Sequence, residues 1–177
     1  MELKKGRPDN FNERLKKEQR VYEFLNNLNV EYMRADHPVA DTMELCADID
    51  NVLGASICKN LFLCNRQQTD FYLLMLPSDK PFKTKDLSAQ IGSSRLSFAL
   101  TEFMEKYLDI TPGSVSVMGL INDTENKVTL LVDEDLLKSD YFGCHPCINT
   151  SSLKISTKDL RDKIIPALGN VVKLVKL

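Results

Sequence analysis

Two apolar runs, residues 56–64 (SICKNLFLC) and 71–76 (FYLLML), are separated only by the polar stretch NRQQTD. Runs of this length with such a connection predict a β-hairpin, and a hairpin this hydrophobic must be covered by other elements. The rest of the chain alternates between the two periodicities. From about Asn12, the residues Leu15, Val21, Phe24, Leu25 and Leu28 recur at helical spacing among charged residues. Residues 30–35 alternate like a short strand, and His37-Pro38 breaks it, because the residue before proline is pushed out of helical geometry.

Thr42 is placed to cap a second helix through Met43, Leu45, Cys46 and Ile49, with Gly54 as its stop. Residues 84–91 read as a short helix ended by Gly92, residues 96–99 as a brief strand, and Thr101 as the cap of a helix running to Leu108. Residues 128–132 (VTLLV) form a buried-type strand, 133–139 a helical turn, and 147–156 an alternating strand. Thr157 opens a final helix, with Pro166 near its end, where it bends or terminates the run. Gly6, Pro8 and Asp9 make residues 1–12 a flexible lead, and 13–177 then form one domain, since no repeat or linker divides them. Interspersed helices and strands without a regular βαβ series predict a mixed α/β (α+β) fold, its mixed, largely antiparallel curved sheet surrounded by helices.

No window is apolar enough to span a bilayer, and the polar N-terminus lacks the apolar core of a secretory signal, so a cytoplasmic protein is expected. A formal net charge of -2 excludes a protein that coats nucleic acid by bulk electrostatics. Basic residues concentrate only near the start: Lys4, Lys5 and Arg7, then Arg14, Lys16, Lys17 and Arg20. The cysteines (Cys46, Cys58, Cys64, Cys144, Cys147) are odd in number and lack the density of a disulfide scaffold.

Three islands have a composition unsuited to plain core or surface. Lys59, followed by Asn60, shares a strand face with Ile57, Leu61 and Leu63; it either covers an edge with its stem or is held there for a purpose. The segment PGSVSVMGLIND places Gly113, Ser114, Val115, Ser116 and Val117 where small side chains let backbone N–H groups approach a ligand, although ordinary loops look similar. It has neither the lysine nor the glycine spacing of a phosphate or dinucleotide loop. The third island, GCHPCINT, holds His145 between Cys144 and Cys147. That C-x-x-C invites zinc or redox chemistry. A four-cysteine site would also need Cys58 and Cys64, which a strand holds about 20 Å apart. The motif also precedes a strand rather than opening a helix, as a thioredoxin-like pair would. His37 reads as a structural or surface histidine.

Taken in order, EYMRADHPVADTME, KNLFL, TPGSVSVMGLIND, VTLLVDEDLL and GCHPCINT with ISTKDL resemble the YbaK/prolyl-tRNA synthetase insertion-domain family, over about residues 21–169. Within it, the chain is most similar to the freestanding PrdX/ProX group. The resemblance implies an aminoacyl-tRNA editing domain that deacylates Ala-tRNA(Pro), with Cys-tRNA(Pro) as an alternative substrate. A non-catalytic module that binds tRNA or a synthetase is the rival of another class. It also implies no cofactor and no metal ligand. The implied partners are the acceptor end of mischarged tRNA(Pro) and prolyl-tRNA synthetase. The residues matching the family's functional positions are Lys59, Gly113 and His145, with Asn60, Ser114, Val115, Ser116 and Val117 as substrate-binding neighbours. On this reading Lys59 anchors the terminal phosphate, the loop N–H groups stabilise an oxyanion, and His145 orients water or accepts its proton. The family's loop often has proline where this sequence has Val117.

Overall fold

The computed structural model describes residues 1–177. Its strands form two sheets. The first is antiparallel, ordered β1 (Leu3–Lys5), β2 (Tyr32–Asp36), β8 (Ser151–Ser156) and β7 (Tyr141–Cys144). The second is ordered β5 (Ser97–Phe98), β3 (Lys59–Cys64), β4 (Phe71–Leu76), β6 (Val128–Asp133) and β9 (Val172–Val175). Its β3–β4 and β3–β5 pairs are antiparallel, whereas β4–β6 and β6–β9 are parallel. Around them lie α1 (Lys16–Asn27), α2 (Met43–Leu53), α3 (Thr84–Ile91) and α4 (Thr101–Leu108). The chain is thus the mixed α/β domain that the sequence predicts, with its strands divided between two sheets. No helix is long and apolar enough to cross a membrane.

The hairpin is fixed as expected. Asn65 Oδ1 accepts the N–H groups of Thr69 and Asp70 at 2.9 and 3.1 Å, closing the NRQQTD turn. Alternation along β3 and β4 then feeds two cores. Phe62, Cys64, Phe71, Leu73 and Met75 enter the main core, which Tyr22 and Leu25 of α1 and Leu153 and Ile155 of β8 also fill. Leu63, Leu74 and Leu76 enter a second core beneath α3, with Leu87, Leu131 and Val175. Burial on both faces explains why FYLLML and VTLLV are nearly continuous apolar runs. A third, smaller cluster of Ala35, Ile49 and Leu53 seats α2 on β2.

Several boundaries differ from the sequence reading. Within the lead, Leu3–Lys5 pairs with β2, and a 3-10 turn, Phe11–Glu13, precedes α1. Leu15 flanks α1 as its N-cap and is exposed, whereas Val21, Tyr22 and Leu25 are buried. The strand expected over 147–156 shortens to β8, because Cys147 takes a positive φ of 64° and turns the chain. After Thr157–Asp159 the last helix widens into a π turn, Leu160–Ile164, before Ile165–Leu168. Pro166 has no N–H to give the carbonyl four residues back, and the wider turn accommodates that loss.

Besides sharing the main core, the two sheets are joined by one backbone bridge. Gly143 N–H donates to Ser56 O at 2.9 Å, and Cys58 N–H donates to Gly143 O at 3.1 Å, forming a parallel bridge between Ile57 and Gly143. A Cβ on Gly143 would lie 2.9 Å from Ile57 Cα. Only glycine permits this approach, and through it β7 and β3 fix each other's position. Gly143→Ala should therefore lower unfolding free energy by about 1–3 kcal/mol, the usual range for forcing atoms into a packed interior. Denaturant titration checks this, and an unchanged midpoint would contradict it.

Candidate functional site

Beyond α4 the chain enters the second island through Gly113, whose φ of 95° disfavours any residue with a Cβ. The backbone N–H and hydroxyl of Ser114 both donate to Thr111 O, at 3.3 and 3.0 Å. Ser116 is extended, and its Oγ accepts Met118 N–H at 3.1 Å, capping a 3-10 helix, Val117–Asn122. Val117, Met118 and Leu120 then anchor the loop in the main core. Val117 occupies the first helical position, where proline is tolerated because that N–H has no helical partner. The departure from the family's proline therefore leaves the loop's course intact.

The third island lies against this loop. Asn149 Nδ2 donates to Ala40 O at 3.3 Å, and a Cβ on Gly113 would sit 3.4 Å from that same nitrogen. Thr111, Ser114, Cys147, Ile148, Asn149 and Thr150 line a cleft of about 410 Å³, whose other wall includes Arg14, Leu15 and Lys17. Asn149 Oδ1 is buried without a hydrogen-bond partner. Ser116 in the loop is near enough to the thiol of Cys144, the residue before His145, to offset part of the rise that burial imposes on it.

His145 Nδ1 lies 3.0 Å from Ser151 O and 3.3 Å from Ser152 Oγ. Ser152 Oγ is also 2.8 Å from His37 Nε2, and His37 Nδ1 is 2.8 Å from Pro38 O. His37 is therefore no surface histidine: it is buried, with its ring 6.3 Å from that of His145. Burial holds the His145 pKa below the usual imidazole value; the Ser151 carbonyl offsets part of this, and His37 adds to the lowering. At neutral pH His145 is an uncharged base.

Lys59 and Asn60 stand on opposite faces of β3. Asn60 shares the face of Cys58 and Phe62 that meets the main core, and its Nδ2 donates to Cys58 O at 3.0 Å. Its Oδ1 is buried and unpaired. Lys59 shares the other face with Leu61 and Leu63, and its ammonium donates to Lys80 O at 2.6 Å. Lys80 is itself held by Asp133 and Asp135, at 2.8 and 2.7 Å. The structure thus brings the Gly113–Ser114 turn against Asn149 of the third island, seats His145 on Ser151 and Ser152, and holds Lys59 through a different set of atoms. A larger cleft, about 490 Å³, opens by the sheet junction. It is lined by Ser56, Ser78, Asp79, Ser139 and Asp140, so its ionisable side chains are acidic and would repel a phosphate.

Cys46 is exposed, whereas Cys58, Cys144 and Cys147 have lost their chemistry to burial. Burial pushes the Cys58 and Cys147 thiols up to about 12 and raises that of Cys144 as well. These thiols stay protonated at neutral pH, whereas nucleophilic attack and metal ligation both require the thiolate.

The cleft takes Thr111 and Ser114 from the second island and residues 147–150 from the third. Residues 37–163 match the family model of the aminoacyl-tRNA editing domain, and the chain belongs to that family. It is an aminoacyl-tRNA deacylase. Among its relatives is the prolyl-tRNA editing protein ProX of Acetoanaerobium sticklandii, 34% identical over 159 residues, covering 90% of this chain and 96% of that protein. Prolyl-tRNA synthetase associated domain-containing protein 1 of Danio rerio is 31% identical over 140 residues, covering 78% of this chain and 76% of that one. A crystal structure described as a candidate trans-editing enzyme for prolyl tRNA synthetase shares the fold, with a TM-score of 0.69 at 16% identity over 93% of this chain and 99% of that one.

Two outcomes are expected. Val117→Pro should shift the thermal midpoint by no more than about 2 °C, since Ser116 before it is already extended; a larger fall would mean that the loop needs that N–H. His145 protonates more readily in the unfolded chain, near pH 6.5, than in the fold. Its stabilising contribution is present above that pH and is lost as pH falls through its lower folded pKa. The stability of wild type relative to His145→Gln should therefore decline on acidification, as measured by thermal unfolding between about pH 7.5 and about pH 5; a difference that stays constant across that range would contradict it.

Proposed function

We propose that the chain clears alanine wrongly attached to tRNA(Pro), acting in trans on the acceptor end. The observation that supports this best is the near full-length likeness to a protein named for prolyl-tRNA editing, together with a small-residue loop facing the cleft. The scissile bond is an ester between the amino acid and the terminal ribose, an activated acyl linkage that calls for positioning more than for strong chemistry.

In this mechanism the amino acid enters beside Gly113. Ser114 spends its N–H on Thr111, and Met118 spends its own on Ser116. The N–H groups of Val115, Ser116 and Val117 then serve the oxygen that becomes negative in the tetrahedral intermediate. Uncharged His145 takes a proton from the attacking water. Collapse of the intermediate breaks the bond to the ribose oxygen, which leaves with a proton and regenerates the free hydroxyl. Asn60 Oδ1, a buried acceptor without a donor, receives a substrate hydroxyl or ammonium. Lys59 binds the terminal phosphate. Its ammonium has three donors and the Lys80 carbonyl occupies one, so two remain for phosphate oxygens.

Selectivity follows from size. A synthetase site for proline cannot reject the smaller alanine strongly, because the missing methylenes are worth only about 1–3 kcal/mol. A second site that admits a methyl group and excludes a pyrrolidine ring restores accuracy. The substrate places the enzyme in the cytoplasm, with prolyl-tRNA synthetase as its neighbour in translation.

Single-turnover assays on alanyl-, cysteinyl- and prolyl-tRNA(Pro) test the proposal. Alanyl-tRNA(Pro) should be cleared fastest and prolyl-tRNA(Pro) spared. Equal clearance of both would contradict the size sieve, and faster clearance of the cysteinyl ester would move the assignment to cysteine. Lys59→Ala should lower kcat/KM roughly tenfold through loss of a charge-assisted contact. Undiminished activity in that variant would remove Lys59 from substrate binding.

A further inference from the structure

His37 and Ser152 belong to none of the three islands that the sequence marks, yet they make a continuous hydrogen-bonded path to His145. The direction of each bond follows from what its partners can do. A carbonyl oxygen only accepts, so His37 Nδ1, at 2.8 Å from Pro38 O, carries the proton of that ring. His37 Nε2 is then a lone-pair acceptor, and the Ser152 hydroxyl at 2.8 Å donates to it. With its only hydrogen committed, Ser152 Oγ can only accept from His145 Nδ1 at 3.3 Å. Ser151 O, 3.0 Å from the same Nδ1, independently demands a donor there. Two separate acceptors thus require one tautomer: Nδ1 of His145 bears the hydrogen, and Nε2, on the opposite edge of the ring, bears the lone pair.

We infer that Ser152 and His37 are positioning residues, which hold His145 in the Nδ1–H tautomer so that Nε2 is always the basic nitrogen. The inference rests on the proposed role of His145 as the base in deacylation. Neither residue touches substrate in this account. Both are buried, Ser152 completely, so water does not compete for these bonds. Ser152 and Ser151 lie in β8, His37 follows β2, and β2 and β8 pair directly, with Ala35 opposite Ser152 and Asp36 opposite Ser151. The sheet therefore presents His37 to Ser152 in fixed register. Removing the hydroxyl would leave only the Ser151 carbonyl to select the tautomer. Removing the His37 acceptor would free the hydroxyl to donate toward His145 Nδ1, which favours the wrong tautomer.

The test combines kinetics with a direct reading of the proton. The chain has 2 histidines, so long-range proton–nitrogen NMR correlations assign both rings with the help of a single variant. In wild type His145 should show a protonated Nδ1 and an unprotonated Nε2. Ser152→Ala and His37→Leu should each produce a mixture of tautomers and lower kcat roughly tenfold or more, with KM little changed. His37→Gln, whose amide oxygen can occupy the place of Nε2, should retain both the wild-type pattern and most of the rate. A wild-type ring protonated at Nε2 would overturn the inference, as would His37→Gln performing no better than His37→Leu. Should Ser152→Ala fail to fold, the wild-type spectrum and the two His37 variants decide the matter. Deacylation untouched in His145→Ala would sink the underlying reading of His145 and this inference together. A loss in His145→Ala without loss in the Ser152 and His37 variants would sink this inference alone.

Discussion

At Gly143 the backbone of one sheet comes so near Ile57 of the other that no side chain fits between them, and two backbone hydrogen bonds close the junction. The positions of the functional groups descend from that contact. Lys59 and Asn60 follow it by two and three residues along β3, and His145 follows Gly143 by two residues on the other chain segment. Each backbone bond contributes only about 1 kcal/mol net. Their larger effect is geometric, because a close-packed interior transmits the position of one strand to whatever packs on it. Cys58 and Cys144 flank the junction in the main core, and Ser116 reaches Cys144 from the loop. The thiols act as buried packing groups that bring loop and strand together.

The fold leaves a few buried polar atoms unsatisfied. The side-chain oxygens of Asn60 and Asn149 are buried without donors, and leaving such a group unpaired costs about 1–3 kcal/mol. A stable domain has only about 5–15 kcal/mol in hand, so two such groups are a substantial concession. Under the proposed mechanism a substrate rich in hydroxyls and carrying an ammonium would supply the missing donors. Asn170 Oδ1 is similarly unpaired, but its amide nitrogen ties Asp123 to Val128 O where the parallel strands β6 and β9 begin, and nothing in the structure explains its oxygen.

Much of the fold is legible in the residues because the signals are local. The hairpin, α2 with its Thr42 cap and Gly54 stop, and α3 with Gly92 all follow from patterns a few residues long. The strands that escape notice are those whose reason is remote. Tyr141–Cys144 is short and holds a glycine that would weaken an isolated strand; its purpose appears only when Ile57 is beside it. Leu3–Lys5 and Val172–Val175 are edge strands whose partners lie far along the chain. The site divides in the same way. Gly113, Ser114, Ser116 and His145 stand out by composition, and the structure sets the Gly113 turn against Asn149, four residues beyond His145. The opposed faces of Lys59 and Asn60 follow from strand alternation, yet the Lys80 carbonyl that holds the ammonium has no sequence signature. His37 reads as unremarkable because its partner Ser152 is brought to it only by the pairing of β2 with β8.

The central claim is that the acyl group docks between the Gly113 loop and His145 and not in the larger acidic cleft. The most direct measurement uses an alanyl-adenosine analogue whose ester is replaced by a stable amide, titrated into the isotope-labelled protein and followed by NMR. The account predicts saturable shifts centred on Gly113, Ser114, Ser116, His145 and Asn149. Shifts centred on Ser78, Asp79 and Asp140, with that loop and His145 undisturbed, would contradict it.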